Sequence, residues 1–321
     1  GSDEQDLEGA KELSDYFGCV YKGENEMGKI DDIQAYKEWT EYHRSLKRDK
    51  AADNLSPVER KKKLEKLEAN VIEWILFFFS EFAKYPFTKF HKKAIKRITT
   101  NMEWYEVLSW SRELAKSTIV FMCMMYLVLT GKKKNVLLIS NSHENAVRLL
   151  EPYKKAFESN SMLKAYYGDL REFGSWTADE FTLTTGATFR AIGALESPRG
   201  TRKDAVRPDT ALVDDFDTDA DCRNPDILKK KWEWFEEALF PTRSISEDLL
   251  VIFCGNLIAL DCCVKRAGDK ADHWDIVNIR DKDGKSSWPE KNTEERINRI
   301  QSKISTKAFQ QEYMNNPLYR G

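Results

Sequence analysis

Residues 104–130 constrain the fold more than any other part of the chain, because there a polar turn joins a short apolar run to a long one. The first run, Trp104–Trp110, has the length and composition of a buried strand, and Ile119–Thr130 those of a buried helix. The turn between them ends in Lys116-Ser117. A helix N-terminus offers free backbone N–H groups and the positive end of the helix dipole, which favour a bound phosphate. The order strand, turn, Lys-Ser, helix therefore predicts a phosphate-binding loop.

The glycines of the usual pattern, G-x-x-x-x-G-K-[ST], are missing from this loop, because Trp110 and Ala115 occupy their places. In a phosphate loop, Lys116 would reach the outer phosphates of a nucleotide and the Ser117 hydroxyl would hold Mg²⁺. The alternative is an ordinary strand–turn–helix with a surface lysine. The residues expected around the phosphates are Ser111, Arg112, Glu113, Leu114, Ala115, Lys116, Ser117 and Thr118.

Short apolar runs alternate with helical patterns after residue 130. The predicted strands are residues 136–140, 210–213, 249–254 and 276–279, with a hairpin around Gly186 formed by 181–185 and 188–193. The predicted helices are residues 144–157, 225–239 and 294–314. This alternation is typical of an α/β fold whose mostly parallel sheet is covered by helices on both faces.

The chain before the sheet is helical in pattern. Ser56-Pro57-Val58-Glu59 has the features of a helix start, and a long helix is predicted from there to Phe82. Its end, Trp74–Phe79, is strongly apolar and must be covered. The expectation is a helical subdomain packed on the main one, and the alternative is a protein-docking surface.

Composition limits the class of protein. The 321 residues are 41% hydrophobic and 32% charged with a formal net charge of −2, whereas a stand-alone nucleic-acid binder is usually strongly basic. The six cysteines lack metal-binding spacing, which favours a reducing cytosol over a zinc protein. The most apolar run, Ile119–Leu129, is too short to span a bilayer. Lys132–Lys134 is interpreted as a solvated turn.

A second motif consists of the apolar strand Ala211–Val213 followed by Asp214 and Asp215. This is the Walker B arrangement, in which the first acid binds Mg²⁺ and the next orients or deprotonates the attacking water. The alternative is a strand that runs into an acidic turn, since Asp217, Asp219 and Asp221 follow.

Two further motifs are weaker. The buried strand Leu249–Cys254 delivers Asn256 after Gly255, where a polar side chain can sense the γ-phosphate. The segment Ser197–Arg202, with Arg207 before the Walker B strand, places arginines on a loop expected near the site. They predict an arginine finger or a DNA contact, and the alternative is a solvated basic loop.

In this order, the motifs resemble the ATPase half of the large terminase subunit of tailed bacteriophages, over about residues 86–317. The resemblance rests on SRELAKST (111–118), SPRGTR and RPDTALVDD within 197–215, VIFCGN (251–256), WPE (288–290) and FQQEYMNNP (309–317). It implies a P-loop NTPase of the additional-strand, RecA-like type. The domains would then be an N-terminal arm and helical subdomain (1–85), the ATPase domain (86–290) and a helical lid or linker (291–321).

The resemblance also implies the chemistry of the site. ATP and Mg²⁺ would be bound as described above, with Arg112 acting in cis and Arg199, or less surely Arg202, acting in trans in a homo-oligomeric ring. Asn256 would couple loss of the γ-phosphate to movement. His91 lies at or near the place where the family contacts the adenine, usually with Gln.

The partners implied are double-stranded DNA, the portal protein and the small terminase subunit, in the cytoplasm of an infected or lysogenic bacterial host and without a membrane. The family's nuclease domain is expected to be absent, so that this chain would not cut DNA. Two alternatives remain: another nucleic-acid-dependent ATPase such as a helicase, and a degenerate docking protein that binds nucleotide without hydrolysing it.

Overall fold

The structure is a computed structural model that describes residues 54–197, 207–241 and 243–317, together with residues 37, 40, 41, 44 and 45. The chain forms two compact units, Gly1–Lys47 and Arg48–Gly321. Every helix and strand discussed below belongs to the second unit.

The strands are β1 (Trp104–Trp110), β2 (Asn135–Ser140), β3 (Glu180–Thr182), β4 (Thr188–Gly193), β5 (Thr210–Val213), β6 (Leu250–Cys254) and β7 (His273–Val277). The helices are α1 (Pro57–Ala69), α2 (Val71–Phe78), α3 (Lys89–Thr100), α4 (Lys116–Leu129), α5 (His143–Ser159), α6 (Ser161–Tyr167), α7 (Asp219–Cys222), α8 (Pro225–Leu239), α9 (Cys263–Lys270), α10 (Glu294–Lys303) and α11 (Thr306–Tyr313). A 3₁₀ turn, Ser80–Phe82, follows α2.

The seven strands form one sheet in the order β3-β4-β2-β5-β6-β1-β7, and all neighbours are parallel except β3 and β4. Strand β6 therefore lies between the strand that precedes the phosphate loop and the strand that precedes Asp214. This inserted strand is the additional strand of the predicted class, and the α/β prediction is confirmed. Because the carboxyl ends of parallel strands meet at one edge, the loops after β1, β5 and β6 come together there.

Helices cover both faces of the sheet. On one face, apolar side chains of β1, β5 and β6 pack against α8 and α9 in a single buried cluster that includes Val213, Phe235 and Val264. On the other face, Tyr153 of α5 packs between Phe121 of α4 and Phe189 of β4, with ring centroids 4.9 and 5.3 Å away. Residues 119–128 of α4 are all buried, which explains why this helix is apolar on every side. No helix in the described residues is long and apolar enough to cross a bilayer.

The single long helix predicted from Ser56 to Phe82 is wrong. The helix begins as expected, with a capping box between Ser56 and Glu59, but it ends at Ala69. Asn70 adopts an extended conformation, with φ −131°, and its side chain accepts a hydrogen bond from the Glu73 N–H and so starts α2. The break lets the apolar α2 turn onto α4, where the Trp74 ring lies 5.3 Å from the Tyr126 ring.

The helical region predicted at residues 294–314 is helical and consists of two helices, because Ile304 is extended and Ser305 caps α11. One smaller prediction needs correction. Lys133 is buried rather than solvated, and its Nζ donates to the carbonyls of Met102, Asp209 and Asp248 at 2.9, 3.2 and 3.2 Å.

Candidate nucleotide-binding site

The loop between β1 and α4 adopts left-handed backbone conformations without glycine. Ala115, the N-cap of α4, has φ 62° and ψ 30°, and Glu113 has φ 71°. Trp110, at the place of the first glycine, ends β1 and has no positive φ, so a glycine is not needed there. The backbone thus makes the turn that the glycine pattern normally provides.

His91 holds this loop from behind. Its Nδ1 accepts a hydrogen bond from the Thr88 N–H at 3.1 Å, which leaves the proton on Nε2 to be donated to the Leu114 carbonyl at 2.9 Å. Burial is the main reason why the pKa of His91 falls from 6.5 to about 4, and the imidazole stays neutral. The ring is fully buried and does not line the cavity in front of the loop. The prediction that His91 contacts the adenine is therefore corrected: His91 positions the loop.

The other side of the loop is held by the segment that follows β7. The Glu113 carbonyl accepts hydrogen bonds from Lys291 Nζ and Asn292 Nδ2, each at 2.9 Å, and Lys291 also pairs with the Glu113 carboxylate at 2.7 Å. Arg112 Nε pairs with the Glu312 carboxylate of α11 at 2.7 Å, and both side chains are exposed at the rim. Arg112 is thus near the predicted site, with its guanidinium held by an acid.

Ser117 and Asp214 meet across β6. The Ser117 hydroxyl, in the first turn of α4, donates to Asp214 Oδ2 at 3.2 Å. Burial of Asp214 raises the pKa of its carboxyl to about 6, although the nearby Lys116 ammonium acts in the opposite direction. A hydroxyl and a carboxylate oxygen are hard donors of the kind that Mg²⁺ prefers. These two residues therefore fit the predicted metal site.

Asp215 points its exposed side chain to the same cavity. Its φ is 49°, a conformation that Asp tolerates better than most residues. Its N–H donates to Asp214 Oδ1 at 2.9 Å, and its carbonyl accepts from the Asn141 N–H at 3.3 Å. The backbone of Asp215 is thus fixed from both sides while its carboxylate remains accessible.

Two further acids of the Asp-rich segment, Asp217 and Asp221, make structural contacts. Asp217 accepts hydrogen bonds from the Cys263 and Val264 N–H groups, at 2.8 and 2.9 Å, and so caps the start of α9. Asp221 pairs with the buried Lys231 at 3.0 Å. Asp217 and Asp221 therefore have structural partners, although Asp217 also lines the cavity together with Asp214 and Asp215.

Asn256 lies at the end of β6, beyond Gly255. Its Oδ1 is buried without a hydrogen-bond partner in the described part of the chain. An unpartnered buried amide is costly, so a bound group that satisfies it would be favoured. A water O–H would suit the oxygen, and a phosphate oxygen would suit the amide if it were turned over.

A cavity of about 630 Å³ joins these groups, within the usual range for small-ligand sites. Its walls are Trp110, residues 111–118, 214–219 and 253–256, Ile258 and Glu312. The structure thus brings together the phosphate loop, the two acids and Asn256. A second cavity of about 550 Å³, beside α5, shares five lining residues with the first, namely Ser117, Asp214, Asp215, Asp217 and Thr218.

Two residues of the site were not singled out from the sequence. Glu312 binds Arg112, as described above. Asn315 donates from Nδ2 to the Ser109 carbonyl at 2.8 Å and accepts at Oδ1 from the Leu257 N–H at 3.1 Å, so it ties the end of β1 to the loop after β6. Both lie within FQQEYMNNP, which indicates that this motif closes the site.

Of the three arginines predicted on the loop before β5, only Arg207 lies in the part of the chain that the structure describes. Arg199 and Arg202 lie outside the described residues. Arg207 precedes β5, at the opposite end of the strand from Asp214, so it is remote from the site.

The chain matches no family model and no curated protein sequence. Among solved structures, it is similar to the large terminase of bacteriophage HK97, with 14% identity, a TM-score of 0.48, and 72% of this chain and 50% of that chain covered. It is similar to the large terminase of the thermophilic bacteriophage D6E in complex with ADP, with 15% identity, a TM-score of 0.46, and coverages of 72% and 54%. For the large terminase ATPase domain of Thermus phage P74-26 the identity is 16%, the TM-score 0.46, and the coverages are 75% and 97%. The chain thus spans about half the length of the first two proteins. All three are large terminases, the class of protein that the motifs resemble, and the roles assigned to residues of this chain rest on its own geometry.

Proposed function

We propose that this chain is the ATP-hydrolysing motor domain of a phage large terminase subunit, which drives double-stranded DNA into a procapsid. The observation that carries the ATPase assignment is the 3.2 Å hydrogen bond from Ser117 to Asp214. It joins the start of the helix after the phosphate loop to the end of the Walker B strand, across an inserted strand and at the floor of the cavity.

The binding role falls to the loop and to the start of α4. The N–H groups of the first turn point toward the phosphates, and the Lys116 ammonium neutralises the outer ones. Ser117 and Asp214 would hold Mg²⁺, which when bound neutralises charge on the phosphate oxygens.

The hydrolytic role falls to three residues at the rim. The Asp215 carboxylate accepts a hydrogen bond from the attacking water and orients it toward the γ-phosphorus. The Asn256 amide accepts a hydrogen bond from that water at its buried oxygen or, if it is turned over, donates from its nitrogen to the γ-phosphate. The Arg112 guanidinium separates from Glu312 and then, in cis, stabilises the negative charge on the phosphoryl group that is transferred.

The partners follow from the proposed motor. Arg199 would reach the site of a neighbouring subunit in a homo-oligomeric ring, and the ring would work with the portal protein, the small terminase subunit and DNA in the host cytoplasm. The net charge of −2 suits a protein that grips DNA only through local surfaces.

The ATPase assignment predicts that Lys116→Ala lowers the rate of Mg²⁺-dependent phosphate release by at least about 100-fold, because transition-state charge loses its cation. Lys132→Ala, a change of another lysine, is the matched control and should retain the rate of the parent protein. Release of phosphate from ATP is the measurement, with thermal unfolding used to confirm that both variants fold.

A Lys116→Ala protein that turns ATP over as fast as the parent would exclude this site. If the parent binds ATP, seen as thermal stabilisation, but releases no phosphate alone or with DNA, the non-hydrolysing docking protein is the better assignment.

A further inference from the structure

Helix α3 presents a row of lysines to solvent. Lys89, Lys92, Lys93 and Lys96 are all exposed and are spaced i, i+3, i+4 and i+7, so they share one face of the helix. The opposite face is buried against the rest of the unit and contains His91, Ala94, Ile95, Ile98 and Thr99. The four ammonium groups thus form a basic strip, here called the lysine face, that runs about 10 Å along the helix axis.

The lysine face is not explained by the stability of the helix. α3 contains no acidic residue, and none of its four exposed lysines makes a salt bridge with a described residue. Lys89 and Lys93 repel each other at i,i+4, as do Lys92 and Lys96. Lysines in the first turn are also unfavourable beside the positive end of the helix dipole. The helix therefore retains its charge at a cost to its own stability.

Two other helices of the chain pair lysines with acids one turn away. Lys229 pairs with Glu233 on α8 and Lys265 with Asp269 on α9, both at i,i+4. The remaining cation of α3, Arg97, is used internally, since it binds the buried Glu106 at 2.7 Å. The lysine face thus forms a cationic strip that no acid among the described residues pairs with, in a chain whose net charge is −2.

A row of lysines spaced one helical turn apart suits a regular row of anions rather than a single anionic group. The phosphates of a DNA backbone meet this requirement, and Lys reads them without regard to base sequence. The same helix also holds the phosphate loop, because His91 donates to the Leu114 carbonyl at 2.9 Å. A ligand on the exposed side of α3 would therefore contact a helix whose buried His91 side chain is hydrogen-bonded to the loop of the nucleotide site.

We infer that the lysine face of α3 is a contact surface for the backbone of double-stranded DNA. This rests on the proposed function for the identity of the polyanion. The four side chains bind phosphates of the DNA backbone. A shift of α3 that follows the bound DNA is transmitted to the loop through the hydrogen bond of His91.

The test compares the parent with a variant in which Lys89, Lys92, Lys93 and Lys96 are all changed to Gln. The control variant changes Lys282, Lys285, Lys303 and Lys307 to Gln, four exposed lysines elsewhere, so that both variants lose the same charge. Binding of a fluorescent random-sequence duplex is measured by anisotropy at salt concentrations from about 25 to about 200 mM. This range is chosen because the affinity of phosphate contacts depends strongly on salt, since each contact releases roughly one counter-ion. Thermal unfolding confirms that both variants fold.

The α3 variant should bind the duplex at least about 10-fold more weakly, and the slope of log K against log salt should fall in magnitude by about 2 or more, while the control variant stays near the parent. The inference is overturned if the α3 variant binds the duplex as tightly as the parent, or if the control variant loses as much affinity as the α3 variant. It is overturned as well if the parent binds no duplex at about 25 mM salt, where phosphate contacts are strongest. It is also overturned if anionic phosphatidylserine vesicles bind the parent more tightly than DNA does. Phosphate release from ATP by the parent, measured alone and with DNA, tests the proposed ATPase separately.

Discussion

At the scale of single residues, the most informative position is Ala115. An alanine in the left-handed region costs about 1–2 kcal/mol relative to the right-handed one. Its neighbour Glu113 adopts a similar conformation. The loop retains this shape because the carbonyls on its two sides are held, that of Leu114 by His91 and that of Glu113 by Lys291 and Asn292. Contacts from outside the loop thus hold Glu113 and Ala115 in left-handed conformations that glycine adopts more easily.

Replacing Ala115 by glycine should raise the free energy of unfolding by up to about 1 kcal/mol, because the strain of the left-handed backbone disappears and only part of the gain is lost to entropy. Ala165→Gly, in the exposed part of α6, is the control and should lower the same quantity by about 1 kcal/mol. Urea denaturation of the two variants measures both changes. Equal losses would mean that the backbone at residue 115 is not left-handed in solution.

At the scale of elements, α3 and the phosphate loop behave as one unit joined by His91. Because the folded protein holds this imidazole neutral, with a pKa of about 4 against 6.5, the unfolded chain takes up a proton first as the pH falls. The stability from His91 is therefore fully present above about pH 6.5 and is lost as the pH approaches 4. Lys291 is the charged group that faces the ring, and it favours the same neutral state.

His91→Gln should flatten the dependence of stability on pH. Between pH 7 and pH 4, the free energy of unfolding of the parent is expected to fall by about 2–3 kcal/mol more than that of this variant. The reason is that Gln can still donate to the Leu114 carbonyl but cannot titrate. The free energy of unfolding from urea titrations at several pH values is the measurement. Parallel curves for the parent and His91→Gln would contradict the buried neutral imidazole.

At the scale of the whole molecule, the sheet is tied at both ends by polar side chains. At the carboxyl edge, Asn315 joins the end of β1 to the loop after β6. At the amino edge, the Lys133 ammonium joins the chain segments that precede β1, β5 and β6 through three carbonyls. The three strands beneath the site are thereby fixed relative to one another, which keeps Ser117 and Asp214 within hydrogen-bond distance.

Removal of the amino-edge tie by Lys133→Met should lower the free energy of unfolding by about 2–3 kcal/mol, because three carbonyls lose a charged donor in a buried place. Lys134→Met, at the exposed neighbour, should change it by less than about 0.5 kcal/mol. Chemical denaturation of both proteins provides the comparison, and equal small effects would show that Lys133 is solvated after all.

Much of the fold could be predicted from local patterns. The apolar runs gave the strands β1, β2, β4, β5 and β6 to within a residue or two, because a strand buried on both faces is apolar throughout. The break at Asn70 was missed, since the helical pattern continues across it, although the Asn70 cap and the packing of α2 on α4 both favour the turn. The edge strand β7 was placed three residues too late, because its side chains are partly exposed and carry no clear pattern.

The sequence alone determined which residue types could form the site, namely the Lys-Ser pair at a helix start, the acids after one strand and the amide after another. Only the tertiary structure decided which of them meet. It placed β6 between β1 and β5, put Ser117 3.2 Å from Asp214, turned Asp217 to cap α9 and buried His91 behind the loop. These outcomes depend on strand order and on contacts between residues far apart in the chain, and such contacts leave no periodic signal in the sequence around any one residue.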